Sequence, residues 1–250
     1  MGTVSPTRFV TDLAVTKAIA DYCPRHEARV LDVGCGAGYY PFLVHAGVQG
    51  DYLGLDISSQ ESWERTTGDH SGQEVRFIQH DAQQLGAIDG AFNFIMSLQA
   101  LEDIRHDGDV VHGMMDRLAP GGHLLITVPS VVSRYSLYPM HGYRGYKQKH
   151  IRRLIADAGG QLVRTERIGG FATFILHLCA WSSASLLVAF SQNRRFHKRV
   201  PINPRGLFQS RLMAGALFRM EQIADRLDIP MGLEGGHLFV VRRALRGGPK

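Results

Sequence analysis

Residues 30–40, VLDVGCGAGYY, have the types and spacing that point most directly to chemistry. A short apolar run enters Gly34, Gly36 and Gly38. Glycines at this spacing let the backbone turn sharply and let a ligand approach without meeting a Cβ. The loop alone does not choose a ligand, because nicotinamide and flavin enzymes use a similar one. Asp32, two residues before the first glycine, narrows the choice. A carboxylate in that place repels a pyrophosphate and suits a ligand with ammonium or sulfonium charge.

Two further aspartates follow at strand-end positions. Asp56 closes YLGLD, 22 residues after Gly34, where a carboxylate can accept both hydroxyls of a ribose. Asp81 follows RFIQ in RFIQHDAQQL, placed to accept from an adenine amino group. A lone Asp after a strand is usually a helix N-cap. Three at successive strand ends, on the carboxyl edge of one sheet, form a site where such sheets bind ligands.

These residues need a frame, and the sequence supplies one. Short apolar runs at 29–33, 51–56, 74–79, 91–96 and 122–128 alternate with helical patterns or polar turns near 39–46, 58–66, 82–86 and 107–119. That alternation specifies a mostly parallel sheet covered on both faces, a doubly wound α/β fold. A helix over 7–23, with Phe9, Leu13, Ile19 and Tyr22 at helical spacing, precedes the first strand. After Pro129 the pattern changes. A loop rich in Tyr, Gly and Pro fills 129–146, a helix follows at 147–158 and a strand at 161–168. Residues 171–235 read as a helical insertion, and 237–243 as a closing strand. The expected organisation is a ligand-binding core at 1–170, an insertion at 171–235, and a closing strand with a basic tail at 236–250.

VLDVGCGAG, GLDIS, HDAQQL, FNFIMSLQALEDI and LAPGGHLLITVPS occur in this order, and over 29–130 the chain resembles the class I S-adenosylmethionine-dependent methyltransferases. The group it resembles is the small-molecule one that includes the quinone-biosynthesis enzymes. The resemblance implies a Rossmann-like, seven-stranded methyltransferase fold with S-adenosyl-L-methionine as cofactor. It assigns Asp32, Gly34, Gly36 and Gly38 to the methionine part, Asp56 with Ile57 to the ribose, and Asp81 with Ala82 to the adenine. Ser97 and Leu98 would lie beside the sulfonium. HGYRGYKQKHIRRLIADAGG is also similar to a family segment, with Arg144, Tyr146, Ile151 and Gly159 in matching places. Gly142 and Asp103 stand where many relatives carry His, and Gly160 where they carry an aromatic.

Methyl transfer from a sulfonium relies mainly on aligning the acceptor. A hydroxyl acceptor also gains from a general base. Candidates are Asp103, His141 and Tyr143, with His106 placed in a polar turn. Tyr138, Tyr143 and Tyr146 either line the acceptor pocket or pack the loop onto the core.

Net charge is +5, but residues 1–130 carry −9 and residues 131–250 carry +14. The second half therefore suits an anionic partner or is simply a solvated basic surface. No charged side chain occurs between Ile168 and Asn193, and the basic run NRRFHKR follows at 193–199. A lid, a homodimer contact or a membrane-interface helix through 171–199 each fits that pattern, whereas the charges near 205–228 oppose a membrane span.

The expected partner is a small, apolar or lipid-like acceptor rather than nucleic acid, since no RNA-binding module or basic–aromatic stacking motif is present. Methylation of RNA or protein, an inactive cofactor-binding scaffold and a nicotinamide dehydrogenase are the alternatives. The last is disfavoured by Asp32 and by GxGxG rather than GxGxxG spacing. Three cysteines (Cys23, Cys35, Cys179) without zinc-like spacing suggest a reduced, cytoplasmic protein with no metal site. The opening residues carry no apolar secretory segment.

Overall fold

Strand β1 (Ala28–Val33) is buried at every position but Arg29, as a strand covered on both faces must be. It pairs in parallel with β2 (Gly50–Asp56) on one side and with β5 (Phe92–Leu98) on the other. The computed structural model describes residues 6–38, 43–44, 46–69, 72–131, 144–170 and 235–243. Within them, β2 pairs in parallel with β4 (Gln73–Gln79), and β5 with β6 (Leu118–Pro129). β8 (Gly236–Arg243) runs antiparallel to β6, and β7 (Gly160–Ile168) lies at the edge beyond it.

The sheet order is β3-β4-β2-β1-β5-β6-β8-β7. It has eight strands where seven were expected, and the additional one is the two-residue β3 (Gly68–Asp69), antiparallel to β4. A pair this short leaves no periodic signature to read. The doubly wound, mostly parallel plan is otherwise as expected.

Helix α1 (Pro6–Tyr22) precedes the sheet and buries Val15, Ala18 and Ile19. Leu13, expected on its apolar face, is exposed. The short α2 (Glu61–Thr66) follows β2 and carries buried Trp63. Helix α3 (Asp107–Arg117) buries Val110, Val111, Met114 and Met115, the spacing of one helical face. Asp107 and Asp109 in its first turn and Arg117 in its last complement the helix dipole. Helix α4 (Gln148–Asp157) buries Ile151 and Ile155, one turn apart. Both helices contribute to a core with Leu31, Ile95, Leu124, Ile126 and Phe239 from the sheet. Each such side chain removed from water contributes about 1.5–3 kcal/mol.

By compactness the chain divides into two units, one of Met1–Leu13 with Arg167–Gly235 and the other of Ala14–Glu166 with Gly236–Lys250. The uncharged stretch and basic run of 171–199, and the loop residues Tyr138, His141 and Tyr143, lie outside the described residues. Among those described, no helix is long and apolar enough to cross a membrane.

Candidate active site

Four parallel strands end side by side, and the turns leaving them enclose a cavity of about 490 Å³. Gly34 and Gly36 come from the turn after β1, and Leu55, Asp56 and Ile57 from the end of β2. His80, Asp81, Ala82 and Gln83 follow β4, while Gln99, Ala100, Asp103, Ile104 and Arg105 follow β5. A crevice at the carboxyl ends of strands is where open α/β sheets bind ligands, and its size suits a nucleoside-sized molecule.

The glycine turn is fixed by hydrogen bonds to β2. The N–H groups of Gly34 and Cys35 both donate to the Leu55 carbonyl at 2.9 Å, and Gly36 N–H donates to Asp56 Oδ2 at 2.9 Å. Asp56 Oδ1 accepts from Ser58 N–H at 3.0 Å. Gly34, Gly36 and Gly38 all take positive φ (73°, 52° and 93°), which glycine alone adopts without strain. A Cβ at Gly34 would run into the Ala100 methyl, whereas at Gly36 it would meet nothing within 4 Å. Gly36 therefore presents bare backbone to open space.

An aromatic stack supports the turn from behind. The Trp63 indole N–H donates to the Gly36 carbonyl at 2.8 Å, and its ring stacks on Phe77 with centroids 5.2 Å apart. Phe77 meets Tyr52 edge-on at 5.7 Å, and the Tyr52 hydroxyl donates to Asp32 Oδ2. Neither Trp63, Phe77 nor Tyr52 was singled out in the sequence, where each reads as core. Only the partnership of Trp63 with a main-chain carbonyl distinguishes them.

The structure brings Gly34, Gly36, Asp56, Ile57, Asp81, Ala82 and Asp103 together on the cavity wall. It puts four others elsewhere. Asp32 is fully buried, with Tyr52 of the neighbouring β2 donating to its carboxylate, and it does not line the cavity. Gly38 lies against the Phe77 ring. Ser97 and Leu98 are buried because β5 runs two residues further than its apolar pattern indicated. The chain leaves the sheet at Gln99, whose φ of 54° turns it over the site while its N–H donates to the Thr127 carbonyl. Gln99 and Ala100, just past the end of β5, line the cavity. No residue type at 99 announced that turn, since Gly or Asn is the usual signal. Asp81 is an N-cap as well as a wall residue, accepting from Gln83 N–H at 2.9 Å.

Residues 9–192 match the family model described as a methyltransferase domain. The chain belongs to the methyltransferase domain family. With the family comes S-adenosylmethionine as cofactor. The wall fits it: three carboxylates suit a cationic ligand, and the glycine turn leaves room for a close approach. Asp56 would hold the ribose, Asp81 and Ala82 the adenine, and the Gly34–Gly36 turn the methionine part.

Among relatives, the chain is 29% identical over 107 residues to the ubiquinone/menaquinone biosynthesis C-methyltransferase UbiE of Stutzerimonas stutzeri, spanning 41% of this chain and 42% of that one. It is 27% identical over 125 residues to the tRNA U34 carboxymethyltransferase of Shewanella halifaxensis, spanning 48% and 37% respectively. The match therefore spans less than half the length of these curated relatives. Among solved structures, the [4+2]-cyclase SpnF is similar over 92% of this chain and 80% of its own, with a TM-score of 0.57 and 18% identity. Magnesium protoporphyrin IX methyltransferase of Synechocystis PCC 6803, determined with S-adenosylmethionine bound, is similar over 66% and 74%, with a TM-score of 0.51 and 20% identity. At these identities the structural likeness concerns fold.

Proposed function

We propose that this protein transfers a methyl group from S-adenosylmethionine to a small, apolar or lipid-like acceptor, at oxygen. The observation that carries the proposal is the acid-lined cavity at the strand ends, with the bare Gly36 backbone on its wall. Bound there, the cofactor supplies an electrophilic methyl group that an acceptor takes by in-line displacement.

The chain's task is then to hold the acceptor in line and, for a hydroxyl, to accept its proton. Two of the three wall carboxylates already accept main-chain N–H groups, Asp56 from Gly36 and Ser58 and Asp81 from Gln83. Asp103 makes no side-chain hydrogen bond or ion pair among the described residues, which makes it the wall carboxylate free to take a proton. His141 and Tyr143 are the further candidates that the sequence offers for the same task.

Transfer of labelled methyl to a panel of phenols, quinols and hydroxylated lipids tests this reading. Labelling of an oxygen in one of them is expected, with Asp103→Asn lowering kcat by about a hundredfold or more. A second reading, an RNA acceptor, is favoured by the tRNA-modifying relatives and by the +14 charge of residues 131–250. Label appearing in tRNA and in no small molecule would replace the first reading with the second. Peripheral membrane association through 171–199 rests on the sequence pattern there. Co-sedimentation with anionic vesicles, lost when Arg194, Arg195, Lys198 and Arg199 are neutralised, is its expected sign.

A further inference from the structure

The cavity wall formed after β5 is held by side chains that do not line it. Leu101–Asp103 make a single 3₁₀ turn, and Asp103, Ile104 and Arg105 face the cavity. Two residues later the buried Asp107 opens α3. Arg144 reaches this segment at two points. Its Nη1 lies 2.7 Å from Asp107 Oδ1, and its Nη2 donates to the Arg105 carbonyl at 2.7 Å. Tyr146 reaches it at two more. Its hydroxyl oxygen lies 2.9 Å from Asp107 Oδ2 and 3.0 Å from the Leu101 carbonyl, so one proton is shared between two acceptors. His150 places Nε2 3.6 Å from the same Asp107 Oδ2. Tyr146 is itself anchored, since its N–H donates to the Pro129 carbonyl at 2.9 Å and it bridges to Ser130.

A short 3₁₀ turn and its trailing link have few hydrogen bonds of their own. Left alone, such a segment must be ordered when a ligand binds, and that cost lowers affinity. The planar guanidinium fork can satisfy a carboxylate and a carbonyl together, and a lysine ammonium lacks that fixed spacing. We infer that Arg144 and Tyr146 are positioning residues for the cofactor. Through Asp107 and the carbonyls of Leu101 and Arg105, they pre-set the Asp103–Arg105 wall and so raise affinity for the methyl donor. The inference rests on reading the cavity as the S-adenosylmethionine site.

The test is calorimetric binding of S-adenosylhomocysteine to the wild type, Arg144→Met, Arg144→Lys and Tyr146→Phe, with hydrogen exchange on the ligand-free proteins. Arg144 is partly exposed, so its replacement leaves the core intact. Arg144→Met should weaken binding about tenfold, and Arg144→Lys should restore little of it. Amides of 103–106 should exchange faster in Arg144→Met while those of β5 keep wild-type rates. Tyr146→Phe should lose affinity in the same direction, and it decides the matter should Arg144→Met fail to fold. Wild-type affinity in Arg144→Met, or an equal loss in Arg153→Met on the exposed face of α4, overturns the inference alone. A wild-type protein that binds no S-adenosylhomocysteine overturns the cavity reading and this inference with it.

Discussion

The Tyr52 hydroxyl donates to Asp32 Oδ2 at 2.5 Å, and neither side chain meets solvent. A buried carboxylate needs its donors, so Tyr52→Phe should lower stability by about 1–3 kcal/mol, measured by urea unfolding. S-adenosylhomocysteine affinity that is lost in Asp32→Ala but retained in Tyr52→Phe would assign Asp32 a direct contact with the ligand.

Asp56 holds the glycine turn and faces the cavity at once. Asp56→Ala removes the acceptor for Gly36 and Ser58 and the candidate partner of the ribose hydroxyls. Calorimetry should show S-adenosylhomocysteine binding weakened at least about tenfold, the upper end of what one neutral hydrogen bond gives. Unaltered binding would remove Asp56 from the site.

Two glycines of one turn should respond differently to alanine. At Gly36 a Cβ meets nothing, so Gly36→Ala carries only the left-handed backbone cost of about 1–2 kcal/mol. Its methyl would intrude on the cavity, and binding should suffer more than stability. At Gly38, with φ of 93°, the Cβ would lie 2.7 Å from the Phe77 ring. Gly38→Ala should therefore lower the unfolding midpoint further than Gly36→Ala, in thermal melts of the ligand-free proteins.

Glu102 is buried beside the cavity wall, and its Oε2 has no hydrogen-bond partner among the described residues. Burial, with Asp103 adding to it, pushes its carboxyl from the usual 4.5 up to about 8, against the opposing pull of a main-chain N–H. The folded protein thus binds this proton more tightly than the unfolded chain. The associated stability is full below pH 4.5 and is lost as pH rises through 8. Glu102→Gln should flatten that decline, and the variant should be the more stable of the two at about pH 9. Parallel urea titrations at about pH 5 and about pH 9 read the effect directly. Equal slopes in the two proteins would mean that Glu102 ionises as an ordinary carboxyl.

Much of the frame was legible in the sequence because its strands are short apolar runs punctuated by glycine and aspartate. Gly34, Gly36, Asp56 and Asp81 could be assigned to strand ends from pattern alone, and they share one cavity. What escaped notice depends on where a strand stops and which way a side chain faces. Ser97 and Leu98 continue an apolar run that has no breaker, so the turn at Gln99 is set by the Thr127 carbonyl in the neighbouring strand. Asp32 is found by its position before the glycines, but the Tyr52 that engages it lies across the strand pair, a relation that spacing along the chain does not encode. The clasp of Arg144 and Tyr146 on Asp107 joins segments almost forty residues apart, and a single sequence carries no sign of it.

β8 has a consequence for how the molecule is made. It slots between β6 and β7, with Pro129 facing Gly236 and His123 facing Arg242, although both of its neighbours are synthesised long before it. Until β8 emerges, the edges of β6 and β7 that it pairs with stay open. Such edges invite pairing with other chains. A nascent chain of this protein should therefore depend on chaperones until β8 is made, and a version cut short before Gly236 should accumulate as aggregate even though every residue of its cavity has been made.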